Sequence, residues 1–207
     1  MKKIIFAAMT VMVCGFATAQ GVKIGVKGGL NVSNFTGDLD GIDVGYQTGF
    51  NAGGFVEIKL SDKLVVQPEI LFSMQGAEFK NGKAYVEGKL VTGSANFIMN
   101  YVNVPVMFKY SVVKNFSIEV GPQIGFLASA KTKTVVNGYS GKHEMDVKNM
   151  FESTDFGLNL GAGYDFTENF SLGVRYNLGL SNILKTKFGD DSKLHNGVLS
   201  FSAAYKF

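Results

Sequence analysis

The chain has 207 residues and a formal net charge of +3, and 18% of its residues are charged. Soluble protein surfaces generally carry about 25–35% charged residues, so this composition, with 26 glycines and 18 phenylalanines, argues against an ordinary soluble protein. The nearly balanced charge also argues against a polyanionic partner such as nucleic acid, which binds strongly basic proteins.

Residues 1–19 have the features of a secretory signal peptide. Two lysines precede an apolar run over residues 4–16, and an A-x-A cleavage site ends at Ala19. Cys14 is preceded by valine, whereas lipid attachment requires a small residue there. We therefore predict cleavage after Ala19 and a mature, cysteine-free domain of residues 20–207.

Eight later segments alternate between apolar residues and small or polar residues. In the clearest one, FSLGVRYNLGLSNIL at 170–184, one face is wholly apolar. Alternation with period two predicts β-strands. Strands of this length exceed the usual five or six residues of soluble sheets and suit a membrane crossing, which needs roughly 9–11 residues. The predicted strands are 22–33, 46–60, 64–80, 101–110, 116–130, 154–166, 170–184 and 194–207.

Short and long connections alternate between these strands. The short links after the second, fourth and sixth strands are 61–63, 112–115 and 167–169, and the long links are 34–45, 81–100, 131–153 and 185–193. Outer-membrane barrels place short turns in the periplasm and long loops outside. We therefore predict an all-β, eight-stranded antiparallel up-and-down transmembrane β-barrel in a Gram-negative outer membrane, with both termini periplasmic.

Alternation alone does not show which face is outside, since soluble lipocalin-like barrels alternate with the apolar face inward. Here the polar face consists mostly of Gly, Ser, Asn and Gln, which is too sparsely charged for a solvated exterior. Aromatic residues also gather on the apolar face near the short turns, as in the girdles of membrane barrels. These aromatic residues are Tyr110, Phe116, Tyr164, Phe166, Phe170, Tyr205 and Phe207.

Several runs resemble the OmpA/OmpX-sized outer-membrane β-barrel family that includes the PorT-like proteins. They are QPEILFSMQG (67–76), YVNVPVMFKY (101–110), VGPQIGF (120–126), TDFGLNLGAGYDF (154–166) and RYNLGLSNI (175–183). The resemblance implies an eight-stranded barrel and no shared reaction. Phe207, an aromatic residue ending the last strand, looks like the C-terminal insertion signal that the barrel-assembly machinery reads. Asn103 and Phe72 replace a carboxylate and a tyrosine common in such proteins, so the lumen network is expected to differ.

Six charged side chains fall on the inward face. Buried charges must be paired, and eight strands leave an interior just wide enough for side chains to fill. We predict a structural ion-pair network that plugs the lumen, with three glutamates sharing two cations at middle depth and one lysine nearer the turns. A proton or ion path, or a gated pore, is the alternative. The predicted members are Lys27, Glu57, Glu69, Lys109, Glu119 and Arg175.

No catalytic, cofactor-binding or metal-binding residues are predicted. His143 and His195 are the only histidines, and neither has the spacing of a catalytic triad. The acidic stretch 38–43 lacks the downstream glutamate of a calcium loop. Three prolines inside strands each remove a ladder hydrogen bond and suggest bulges; these are Pro68, Pro105 and Pro122.

The predicted function is therefore a non-enzymatic structural or interaction role, exerted through the outer loops. A lipid-modifying or proteolytic barrel enzyme and a small channel are the alternatives. The predicted partners are outer-membrane lipid and lipopolysaccharide, the barrel-assembly machinery during insertion, and an external or secretion-system protein.

Overall fold

A computed structural model of the chain describes residues 21–39, 43–86, 89–136, 142–185 and 193–207. The predicted signal peptide and its cleavage site lie outside these residues. Within them, no helix is both long enough and apolar enough to cross a membrane. The elements are β1 (Val22–Gly37), β2 (Asp43–Lys59), β3 (Leu64–Val86), β4 (Lys89–Val113), β5 (Phe116–Val136), β6 (Lys142–Asp146), a 3-10 helix (Lys148–Met150), β7 (Thr154–Asp165), β8 (Phe170–Gly179) and β9 (Leu194–Lys206).

Eight of these strands form a closed antiparallel ring. Each pairs with its neighbours along the chain, β5 pairs with β7, and β9 pairs back with β1. The short strand β6 is additional and pairs with the far end of β5, beyond the point where β7 begins. The predicted eight-stranded antiparallel barrel is therefore confirmed.

An apolar belt surrounds the barrel. On β5 the outward positions from Phe116 to Phe126 are apolar. The outward positions from Phe170, on β8, to Leu180, the residue after β8, are apolar as well. Each stretch has eleven positions, which suits the roughly 9–11 residues of a tilted strand in a bilayer core. The inward positions between them carry buried polar side chains such as Arg175.

One end of the barrel, which we call the turn rim, carries the short links 60–63, 114–115 and 166–169. Side-chain oxygens close two of these turns: Ser61 Oγ accepts from Leu64 N at 3.1 Å, and Thr167 Oγ1 accepts from Phe170 N at 2.9 Å. Asn115 has φ +68°, a left-handed conformation that asparagine tolerates in turns. The predicted aromatic residues lie here on the outer face, with the rings of Tyr205 and Phe207 5.4 Å apart.

At the opposite end, the loop rim, two predicted long loops are wrong, and the loop 34–45 is shorter than predicted because β1 extends to Gly37 and β2 begins at Asp43. Residues 81–100 are mostly strand, because β3 and β4 continue as a hairpin down to the pair Val86↔Lys89. Residues 131–153 likewise contain the end of β5, paired with β6. These strands rise beyond the apolar belt, where the outer face meets water, so the inside–outside pattern used for prediction no longer applies. The seventh strand also ends earlier than predicted, at Gly179.

The three prolines do not mark bulges. Pro68 pairs with Val106, Pro105 with Gln123 and Pro122 with Leu158, and the register is the same on either side of each. A bulge instead lies in β5 at Ala128, because Tyr101 pairs with Leu127 while the preceding Asn100 pairs with Ser129. Ser129 is thereby turned outward, although the period-two alternation of the predicted strand 116–130 places it on the polar, lumen-facing side.

Candidate functional site in the barrel lumen

Nearest the turn rim, two lysines and two carboxylates form the lower charged layer. Lys109 Nζ donates to Glu57 Oε1 at 2.9 Å and to Gln67 Oε1 at 3.1 Å. Lys206 Nζ lies 3.3 Å from Glu57 Oε2 and 2.9 Å from Asp165 Oδ1. Glu57 therefore bridges both lysines, and the layer links strands that lie on opposite sides of the barrel.

At middle depth, Arg175 is the centre of the upper charged layer. Its two terminal nitrogens each donate to one oxygen of Glu69 at 2.9 Å, and one of them also donates to Glu119 Oε2 at 2.7 Å. Lys27 Nζ lies 3.4 Å from Glu69, and Gln67 Nε2 donates to Glu69 at 2.7 Å. The Arg175–Glu69 contact is bidentate, which is the strong geometry for a guanidinium and a carboxylate.

All six predicted charged residues lie in the lumen, but not in the predicted grouping. Glu57 contacts the two lysines near the turn rim and makes no ion pair with Arg175. Sequence reasoning also left out Lys206 and Asp165 from the network, although both alternate with outward aromatic residues. With them, four cations meet four carboxylates in the two charged layers, and at middle depth Arg175 and Lys27 face only Glu69 and Glu119, so the excess of carboxylate expected there is absent.

A layer of amides and hydroxyls follows toward the loop rim. Asn31 donates to Ser73 Oγ at 3.0 Å and to two main-chain oxygens, and its own Oδ1 accepts from Asn51 at 2.6 Å and from Ser200 at 2.8 Å. Across the lumen, Asn177 donates to the side-chain oxygen of Asn159 at 3.2 Å. These amides and hydroxyls are hydrogen-bonded to one another and to main-chain oxygens, as buried polar groups generally are, whereas the buried Oδ1 of the nearby Asn103 has no hydrogen-bond partner.

The loop rim is filled by an apolar plug. Two segments cover it and are joined to each other: Glu152 N donates to the Ile183 oxygen at 2.8 Å, and Lys185 N to the Met150 oxygen at 3.1 Å. Beneath them Asp155 accepts hydrogen bonds from neutral groups, a cluster that the sequence analysis missed. The plug comprises Phe35, Ala77, Met99, Tyr101, Leu127, Ala130, Val147, Phe151, Ile183 and Leu194.

Two small cavities remain inside the described lumen. One of about 20 Å³ lies among the lower charged layer, and one of about 30 Å³ lies between Arg175 and the amide layer. A water molecule needs about 10–15 Å³ of such volume. Each cavity therefore has room for one to three water molecules, and Lys27 lines both.

Residues 18–185 match a family model described as an outer membrane protein beta-barrel domain. The chain belongs to this family. Similar solved structures are Ail of Yersinia pestis (17% identity, TM-score 0.48) and Neisserial surface protein A (16%, 0.49), each aligned over 91% of this chain and 100% of the other. OprG of Pseudomonas aeruginosa is 13% identical over 91% of this chain and 97% of its own, with a TM-score of 0.43. No curated protein matches the sequence.

The predicted family and fold are thus confirmed: the chain is a small outer-membrane β-barrel, as found in Gram-negative bacteria. His195 Nδ1 lies 2.8 Å from the main-chain oxygen of Ser181, and the side chain of His143 lies outside the described residues. Residues 40–42 of the acidic stretch 38–43 also lie outside the described residues. Among the described residues, no group of three or more His, Cys, Asp or Glu is arranged to hold a metal ion.

Proposed function

We propose that this barrel is non-enzymatic, that its lumen is a structural plug, and that its loop rim is a surface for interaction. The observation that carries the proposal is that the lumen is closed twice. Ion pairs span it at middle depth, and apolar packing fills it at the loop rim. A solute entering from either end meets packed side chains, so we assign the function to the outer surface of the barrel.

The two alternatives receive little support. A steady channel needs a continuous path, whereas the charged layers and the apolar plug fill the described lumen and the cavities found between them are small, about 20 and 30 Å³. A serine hydrolase needs a base that takes the hydroxyl proton. The Ser181 hydroxyl donates to Asp155 at 2.8 Å, while His195 contacts the Ser181 main-chain oxygen instead of its hydroxyl. This arrangement lacks the serine–histidine contact of a catalytic triad.

The proposed interaction surface is the part of the sheet that rises above the apolar belt. It comprises the ends of β3, β4 and β5 and the whole of β6. Met145 on β6 is 62% exposed and is a large apolar side chain available to a partner. Lipopolysaccharide beside the sheet and an external or secretion-system protein above it are the proposed partners.

This role requires the loop rim to face outside. We propose that the turn rim and both chain termini are periplasmic, because short turns face the periplasm in barrels of this kind. Cleavage of the leader after Ala19 and recognition of Phe207 by the barrel-assembly machinery belong to the same proposal.

Planar-bilayer recording tests the closed lumen, with site-specific photo-crosslinking in intact outer membranes as the second arm. We expect no sustained conductance, protein adducts from a photoreactive residue at Met145, and lipid adducts alone from one at Leu160, which is 51% exposed in the belt. Sustained conductance would contradict the plug. Absence of adducts at Met145 would contradict the interaction surface.

A further inference from the structure

Two of the three Asn-Gly dipeptides in the chain lie among the described residues, and their environments are opposite. Asn81 and Gly82 are both exposed on β3 at the loop rim, whereas Asn196 and Gly197 are both buried on β9. The third dipeptide, 137–138, lies outside the described residues. A glycine after an asparagine matters chemically, because the missing Cβ leaves the main-chain nitrogen unshielded and the backbone free to turn toward the asparagine side chain.

Asn81 lies in a β-bulge at the edge of the sheet. The pairing of β3 with β4 is regular up to Phe79 and resumes at Gly82, so two residues of β3 lie opposite a single residue of β4. Asn81 is one of the two and has φ +56°, in the left-handed region. Among the described residues, the pairing of β3 with β2 ends at Lys80. The main chain at Asn81 is therefore held by fewer ladder hydrogen bonds than a continuous strand provides.

Asn196 lacks this freedom. It is 1% exposed, and its Nδ2 donates to Asp155 Oδ2 at 2.7 Å. Both Asn196 and Gly197 are in register with β1, and Gly197 is also in register with Leu178 on β8. Any rearrangement of this dipeptide therefore requires local opening of the barrel wall.

We propose that Asn81 is a site of spontaneous deamidation, which adds a negative charge to the interaction surface. The main-chain nitrogen of Gly82 attacks Asn81 Cγ and closes a five-membered succinimide ring. The bond from Cγ to Nδ2 breaks, and ammonia leaves with the proton that the Gly82 nitrogen gives up. Water then opens the ring, at Cγ to give aspartate or at the main-chain carbonyl carbon to give isoaspartate. The reaction needs no oxidant or reductant, and water is its co-reactant.

The new carboxylate would lie beside an existing one. Asn81 Nδ2 donates to Asp43 Oδ2 at 3.2 Å, and Asp43 is the first residue of β2. Deamidation removes this donor and replaces it with a like charge, which repels Asp43. The start of β2 should therefore loosen at the border of the interaction surface. The deamidation itself does not depend on whether that surface binds a partner.

Peptide mapping of the folded barrel in detergent tests the site, after incubation in heavy-oxygen water at mildly alkaline pH. We expect Asn81 to become aspartate and isoaspartate that carry heavy oxygen. Asn196 should react roughly thirty-fold more slowly, the factor for breaking two hydrogen bonds first. In the urea-unfolded chain the two dipeptides should react at similar rates. Gly82→Ala, where a Cβ meets nothing closer than 3.5 Å, should preserve the fold and slow the reaction on the order of ten-fold.

Equal rates at Asn81 and Asn196 in the folded barrel would overturn the proposal. So would an unchanged Asn81 under conditions in which the unfolded chain reacts. Amide hydrogen exchange measures the consequence for β2. Asn81→Asp should speed exchange at residues 43–46 roughly two-fold relative to Asn81→Ala, which removes the same hydrogen bond without adding a charge. Equal exchange in these two variants would contradict the repulsion.

Discussion

Arg175→Leu is the sharpest test of the lumen network. The substitution removes three hydrogen bonds of 2.7–2.9 Å to Glu69 and Glu119, whose side chains are at most 7% exposed. Lys27, 3.4 Å away, then remains as the ion-pair partner of Glu69, while Glu119 keeps none among the described residues. Breaking a buried pair typically costs about 3–5 kcal/mol because the remaining charge is left uncompensated. We expect a loss of that size in the free energy of unfolding.

Two further variants separate charge from packing. In Arg175→Leu/Glu119→Gln a neutral amide replaces the unpaired carboxylate of Glu119, so part of the lost free energy of unfolding should return. Lys131→Leu removes an ion pair to Glu144 whose side chains are 51% and 43% exposed. Exposed pairs contribute about 0.2–1 kcal/mol, so this control should barely change the unfolding free energy.

Urea unfolding in detergent micelles, followed by circular dichroism, measures all three variants against the wild type. An Arg175→Leu barrel within about 1 kcal/mol of the wild type would refute the argument that buried ion pairs stabilise the lumen. A double variant as unstable as the single one would instead attribute the loss to packing of the arginine side chain.

Three further predictions concern export and topology. A membrane-impermeant maleimide added to whole cells should label Met145→Cys and spare Asp62→Cys, both of which are exposed; the opposite pattern would invert the barrel. Mass spectrometry of the mature protein should show cleavage after Ala19, and an acylated Cys14 would count against it. Deleting Phe207 should lower the amount of folded barrel in the outer membrane, and an unchanged yield would argue that it is no insertion signal.

The sequence predicts the barrel wall well because a single rule governs it. Between the rims, lipid lies outside and polar groups lie inside. Period-two alternation therefore predicts both where a strand lies and which of its residues face the lumen. This alternation alone places both Glu69 and Arg175 in the lumen, although they are 106 residues apart in the chain.

The contacts between side chains inside the lumen do not follow from the alternation of inward and outward residues. Lys109 and Glu119 are register partners on neighbouring strands, yet the Lys109 ammonium crosses to Glu57, 52 residues away along the chain. Which acceptor a long side chain reaches depends on strand tilt and on the space beside it. Gly161, the partner of Arg175 on β7, shows how little space there is: a Cβ there would lie 2.6 Å from the main-chain oxygen of Val174 and 3.3 Å from the Arg175 Cβ.

At the loop rim the rule itself reverses. The bulge at Ala128 turns Ala130 and Thr132 inward and Lys131 and Lys133 outward. Beyond the belt the outer face meets water and the inner face meets the apolar plug, so alternation continues with apolar residues inside. A prediction that expects apolar outward residues finds polar ones there and therefore assigns a loop. Only the strand pairing shows that the same period continues in a new environment. For this reason the sequence predicted the barrel wall within the apolar belt but did not predict the strand extensions beyond it.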